Sequence, residues 1–161
     1  MTNDLGIKGL DIKALISALE DALAEEYLAW YAYSIEAPFL TGPNHLEVEE
    51  LFQETAKDEY EDHAYWLMDR INKLGGNPSK ILHPDWLNRK ATHKYILPKA
   101  PFNVIDAINR NIEAEKNAIE TYTKLEAMTR DKDVVTNCKM KEILADEQDH
   151  LQDLLEWKDA C

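Results

Sequence analysis

Six residues in this sequence have types and spacing suited to gripping metal ions: Glu26, Glu59, His63, Glu115, Glu147 and His150. Glu59 and His63 are four apart, and Glu147 and His150 are three apart. Either spacing puts two side chains on one face of a helix, so each pair can hold one ion from one helix. Four carboxylates and two imidazoles suit two hard or borderline divalent ions, Fe(II) or Mn(II). Burying four carboxylates without cations would cost many kcal/mol, and two ions supply the compensation. Carboxylates shared between the ions would hold them about 3.5–4 Å apart, the separation used in two-metal chemistry. A single pair is weak evidence. Glu is 17 of 161 residues, so a histidine meets one at −3 or −4 by chance about one time in five. The joint pattern is the specific signal.

The elements that must position these residues follow from apolar periodicity and from where the chain is broken. Leu15, Leu19, Ala22, Leu23, Tyr27 and Trp30 recur at helical spacing, as do Leu51, Phe52, Ala56, His63, Leu67 and Ile71. Ile105, Ile108, Ile112, Ile119 and Tyr122 form a third stripe, and Ile143, Leu144, Leu151 and Leu154 a fourth. Gly42-Pro43 and Gly75-Gly76-Asn77-Pro78 punctuate the chain, and no Gly or Pro follows residue 101. Helices are expected at about 11–40, 44–74, 102–129 and 132–159, with Asp11 as an N-cap and Gly75 as a stop. No strand pattern is evident. Short connections make antiparallel neighbours, and a crossover over 75–101 is long enough to run the length of the bundle. A short helical turn at 83–90 is expected inside it. The fold class is therefore all-α, a four-helix bundle in one domain over 1–161.

The heights agree as well. Glu26 and Glu59 lie 16 and 17 residues from Gly42, and Glu115 and Glu147 each lie 16 from Asp131. Equal distance from a turn means equal height in antiparallel helices. The halves also echo each other. Ala29 and Tyr33 follow Glu26 by three and seven, and Ala118 and Tyr122 follow Glu115 in the same way. This predicts pseudo-two-fold symmetry about one site.

Composition excludes several functions. With 18 Lys+Arg against 31 Asp+Glu the net charge is −13, so a phosphate backbone would repel the chain and direct nucleic-acid binding is not expected. No apolar run approaches the ~20 residues of a membrane span, and the N-terminus lacks a secretory h-region. A cytoplasmic location is expected. Two Cys without a CxxC exclude a zinc ribbon and a rubredoxin-type site. Cys138 and Cys161 lie about 34 Å apart on one predicted helix, too far to pair within the chain.

The runs AEEYLAWYAY, NIEAEKNAIETY and EAMTRDKDVVT…EILADEQDHLQDL resemble the ferritin-like di-iron superfamily over roughly 11–159. They look most like its Dps-like branch, the thioferritins or bacterioferritin-related mini-ferritins. The resemblance implies an antiparallel four-helix bundle with a long crossover, and Glu26, Glu115, Glu147 and His150 match ligand positions directly. It also implies two Fe ions per chain (with Mn or Zn as possible substitutes), ferroxidase activity with H2O2 or O2, protection from oxidative stress, and iron storage in a dodecameric cage. The chain departs from the pattern in helix B. The usual ExxH motif has Tyr60 three before His63, with Glu59 at −4. Many members of the branch carry a cysteine pair near the metals, and the matching positions here are His93 and Asn117. Bacterioferritins supply a haem Met two before the helix-B His, where this chain has Glu61, so haem is not expected. Eleven residues follow His150, too few for the fifth helix of the larger ferritin cages.

Other residues have plainer roles. Tyr33 and Tyr122 are expected to pack with their hydroxyls satisfied, and Trp30 to pack in the core. Tyr60 is either a donor to the site or core. Trp66, Trp86 and Trp157 are core or subunit contacts. His45, His83 and His93 are expected at the surface, and the excess acid of helices B and D on a solvated face. Three other functions stay open: a stand-alone di-metal enzyme such as a rubrerythrin-like peroxidase or manganese catalase, a DNA-protecting Dps protein, and a metal-free bundle.

Overall fold

The computed structural model describes residues 5–77 and 98–161. Helix α1 (Ile12–Glu36) starts at Asp11, whose Oδ1 accepts from the N–H groups of Lys13 at 2.9 Å and Ala14 at 3.2 Å. This N-cap satisfies two donors that a helix start leaves unpaired. The helix ends four residues before the expected boundary. Pro38 has no N–H to continue the i→i−4 ladder, and the chain tightens into a 3₁₀ turn over Ala37–Phe39. Strand β1 (Leu40–Thr41) follows, then the turn at Gly42, where φ is +118°. Helix α2 (His45–Asp58) runs into a π-helical segment, Glu59–Ala64, and on into α3 (Tyr65–Lys73). The expected single helix over 44–74 is thus interrupted. Leu74 closes it, and Gly75 takes a left-handed φ of +89°, the stop its sequence position predicts.

Strand β2 (Phe102–Asn103) pairs in parallel with β1, Leu40 beside Phe102 and Thr41 beside Asn103. This corrects the expectation of no strands: two-residue strands are too short to leave a periodic trace. Asn103 then caps α4 (Val104–Thr129), and Asp133 caps α5 (Val134–Ala160). Both helices therefore begin two residues later than predicted.

The strand pair puts the start of α4 beside the end of α1. At the same end Asn44 Nδ2 donates to the Ala160 carbonyl of α5 at 3.2 Å. At the other end Gly76 lies against Ile16, and the Lys8 N–H donates to the Lys132 carbonyl at 3.3 Å. Helices α1 and α4 are therefore antiparallel, and the end of α3 and the start of α4 lie at opposite ends of the bundle. The described residues are all-α apart from the strand pair, in two antiparallel hairpins. Among the described residues no helix is long and apolar enough to cross a membrane.

Two apolar clusters fill the bundle. One includes Leu15, Leu19, Leu67, Ile71, Tyr122 and Ile143; the other includes Tyr33, Phe52, Ile108, Ile112 and Leu154. The carboxylates lie between them. Trp30 and Tyr60 are outside both, 38% and 44% exposed, with ring centroids 5.4 Å apart. This corrects the core role expected of Trp30 and both roles weighed for Tyr60: the two rings cover each other on the surface. Trp66 and Trp157 each pack against one cluster. Trp86 and the expected turn at 83–90 lie outside the described residues, as do His83 and His93.

Candidate metal centre

Each of the four long helical runs contributes to one buried cluster. Helix α1 presents Glu26, the π segment Glu59 and His63, α4 Glu115, and α5 Glu147 and His150. Glu26, Glu59, His63, Glu115 and Glu147 are all at most 2% exposed. The structure brings together all six side chains that the sequence singled out.

The unusual helix-B spacing falls within the π segment. An α-turn closes with i→i+4 bonds and a π-turn with i→i+5, so the wider turn holds about one more residue. Glu59 and His63, four apart, stand one above the other. Their contact is 3.1 Å from His63 Nδ1 to Glu59 Oε2, and Tyr60 is turned outward.

The candidate ligand atoms form two overlapping groups. Glu26, Glu59, His63 and Glu147 each place an atom within 4.8 Å of the others; so do Glu59, Glu115, Glu147 and His150. Glu59 and Glu147 belong to both groups. His63 Nδ1 lies 3.4 Å from both Glu26 and Glu147. His150 Nδ1 lies 3.3 Å from Glu147 and 3.5 Å from Glu59. The outer nitrogens face elsewhere: His63 Nε2 is 3.4 Å from Asp146, and His150 Nε2 is 3.7 Å from Asp58. An outer carboxylate that holds Nε2–H leaves the Nδ1 lone pair for a cation.

The tyrosines cross-link the halves. The Tyr33 hydroxyl donates to Glu115, and the Tyr122 hydroxyl donates to Glu26. Each is fully buried at the edge of an apolar cluster, with its hydroxyl satisfied. The sequence echo between Glu26/Tyr33 and Glu115/Tyr122 is thus a physical exchange between α1 and α4.

The electrostatics are those of crowded, buried acids. Burial raises the pKa of Glu26, and Glu59 and Glu147 raise it further. Glu115 is raised by burial and by Glu147 and Glu59. Burial also acts to raise Glu59, but the facing Glu26, His150 and His63 outweigh it and hold Glu59 below the usual range. Burial acts to lower both histidines, yet the facing carboxylates raise them, His150 to about 11. Burial and the facing Glu keep both tyrosine hydroxyls protonated, hence donors.

Among the described residues, two buried carboxylate oxygens, Glu59 Oε1 and Glu147 Oε1, have no hydrogen-bond partner, each facing a histidine Nδ1 at 3.5 and 3.4 Å out of bonding geometry. A buried unsatisfied acceptor is costly, and both occur on the two carboxylates common to the ligand groups. That is the arrangement expected where cations, not hydrogen bonds, complete the site.

A model of the ferritin-like domain matches residues 16–159. The chain belongs to the ferritin-like family. This ferritin-like chain is 36% identical to the bacterioferritin-related protein from Bacteroides fragilis, a dodecameric thioferritin, with a TM-score of 0.90 over 98% of this chain and 92% of that one. A ferritin-like, diiron-carboxylate protein from Bacillus anthracis is 25% identical, with a TM-score of 0.76 over 92% and 97%. The DNA protection during starvation protein of Pyrococcus furiosus is 28% identical over 142 residues, 88% of this chain and 75% of its own.

Sequence reasoning missed two buried polar groups of this ferritin-like bundle. Arg70 Nη2 donates to Asp133 at 2.6 Å, and Arg70 Nε to Thr136 at 2.7 Å. Arg70 lies seven residues after His63, on the same helix face, a signal available in the sequence. Glu36 accepts from Arg110 Nε at 3.0 Å and Asn111 Nδ2 at 3.1 Å. His45 Nδ1 contacts the Gly42 carbonyl at 3.0 Å at the start of α2. Cys138 and Cys161 are free thiols.

Proposed function

We propose that this chain is a ferroxidase of the mini-ferritin type, which binds two Fe(II) ions per subunit, oxidises them with H2O2 or O2, and stores the ferric product inside a dodecameric shell. The carrying observation is that two buried, hydrogen-bond-free carboxylate oxygens belong to the two glutamates common to both ligand groups. In this reading Glu59 and Glu147 are shared by both ions, Glu26 and His63 complete one position, and Glu115 and His150 the other. Tyr33 and Tyr122 orient Glu115 and Glu26. Mn(II) or Zn(II) would occupy the same donors without being stored.

With peroxide the balance is simple. Each Fe(II) gives one electron, and H2O2 takes two electrons and two protons to leave as two waters. Placing both ions at one site lets a two-electron oxidant be consumed without releasing a radical. The likeness to a dodecameric thioferritin supports the shell. Twelve chains of 18.6 kDa make a particle of about 220 kDa.

The test is anaerobic Fe(II) titration, addition of H2O2 or O2, and size-exclusion with iron counting. Two rapidly oxidised ions per chain, then many more retained in a particle near 220 kDa, are expected. Two or fewer in a small particle would instead indicate a stand-alone di-metal enzyme. Glu115→Ala together with Glu147→Ala should abolish rapid oxidation, and unchanged kinetics would reject the assignment.

A further inference from the structure

The cluster forms a wall between two chambers with different linings. On the face made by the π segment and α5 lies a groove of about 350 Å³, lined by Asp58, Asp62, Asp146, Asp149, Asp153 and the two site histidines. Between α1 and α4 lies a second cavity of about 510 Å³. Glu26, Glu59, Glu115 and Glu147 form part of its wall, and neither histidine does. Of the other lining residues five are apolar, Leu28, Ala29, Ala32, Ala114 and Ala118, and six are polar or charged, Glu25, Asn109, Arg110, Asn111, Glu113 and Asn117. Ala29 and Ala118 are the symmetry-related pair, each three residues after a site carboxylate and so on its helix face.

We propose that this second cavity is the route by which the small uncharged oxidant reaches the carboxylate cluster. The inference rests on the ferroxidase reading. A divalent cation crossing an apolar wall loses hydration that alanine and leucine cannot replace. Uncharged O2 loses almost nothing in the same passage, and H2O2, which gives up hydrogen bonds to water there, can recover some of them from the polar side chains of the wall. Five aspartates in the other groove raise the local cation concentration and offer oxygen ligands on the way in. The two reactants therefore meet from different faces, which keeps Fe(II) and oxidant apart until both are at the site. The cavity is large enough for several small molecules, since one water occupies about 30 Å³ of liquid. Its polar lining, including Glu25, Glu113 and Arg110, makes a cation route the rival that the test must separate.

The experiment fills the cavity without touching a ligand. Ala118→Phe and the milder Ala29→Leu are made singly in the full chain. Xenon under pressure probes the cavity by diffraction, anaerobic Co(II) titration reads the metal site, and stopped-flow reads the Fe(II) oxidation rate against O2 and H2O2 separately. Expected are xenon in the wild-type cavity and not in the filled variants, unchanged Co(II) stoichiometry and uptake rate, and a fall of about tenfold in the rate's dependence on at least one oxidant. Whichever oxidant shows the fall is the one carried. Absence of xenon from the wild type overturns the proposal. So do unchanged slopes in a xenon-free variant, slowed Co(II) uptake with unchanged oxidant slopes, or an organic molecule retained in the cavity and seen by native mass spectrometry. If Ala118→Phe fails to fold, Ala29→Leu decides. A wild type that oxidises no Fe(II) overturns the ferroxidase reading itself, whereas an active wild type indifferent to filling overturns only the route.

Discussion

The shared glutamates and the single-group glutamates carry different expectations. Glu147 belongs to both ligand groups, Glu115 to one. Glu147→Gln should cut anaerobic Co(II) binding below one ion per chain, while Glu115→Gln should leave one. Equal losses would reject the division into shared and unshared ligands. Without metal the order of merit reverses. Glu115 is buried beside Glu147, and both burial and repulsion oppose its charge. Glu115→Gln should therefore raise the melting temperature of the metal-free protein by a few degrees, on the order of 1 kcal/mol, while abolishing part of the stabilisation that metal adds. A fall in melting temperature would mean that the Tyr33 bond to Glu115 outweighs the repulsion. Glu36 shows the opposite balance. It is fully buried and paired with Arg110, whose side chain is about one-third exposed. Glu36→Ala should cost about 2 kcal/mol, below the range for a fully buried pair because water still reaches the arginine.

At the scale of elements, the π segment is the feature with a direct consequence. If the wide turn exists to absorb one residue, deleting Tyr60 should let Glu59–Ala64 wind as regular α-helix with the ligands still aligned. The expected variant binds the same number of Co(II) ions and gains helical signal in circular dichroism. Loss of metal binding would show that the wide turn itself sets the ligand geometry. The far end of the bundle is fixed by Asp133, which caps α5 and accepts from Arg70. Burial acts to raise its pKa, but bonds from Thr136 and Arg70 prevail and lower it. A carboxyl lowered in the folded state adds stability that is complete above its unfolded pKa of about 3.9 and is lost as pH falls through the folded value. Asp133→Asn should thus destabilise the protein at pH 7 and flatten the acid limb of stability measured by urea unfolding below pH 4. A parallel acid limb would remove Asp133 from the account.

For the molecule as a whole, charge decides partners. At −13 per chain, a dodecamer would carry a large negative field that draws Fe(II) and repels a phosphate backbone. No retardation of duplex DNA is expected in a mobility-shift assay at low salt. A shift that weakens steeply with added salt would favour the DNA-protecting function for which the Pyrococcus furiosus relative is named.

The sequence by itself determined the helices and where they turn, because apolar periodicity, capping residues and Gly/Pro breaks act within a few residues of one another. It also determined which residues could meet, because counting from each turn fixes height in an antiparallel hairpin. Glu26, Glu59, Glu115 and Glu147 were legible in this way. Height says nothing about what lies across the bundle. Only the tertiary structure paired Tyr33 with Glu115 and Tyr122 with Glu26, put Glu59 and Glu147 in both ligand groups, and turned Trp30 and Tyr60 outward against each other. It also resolved the spacing of Glu59 and His63. Three and four residues both align on an α-helix, so spacing alone does not record that the backbone widens into a π segment at Glu59–Ala64. An aspartate-lined groove and a cavity with an alanine-bearing wall on two faces of one site are likewise a product of packing. Each wall is assembled from helices distant in sequence, and no local pattern records which faces will oppose.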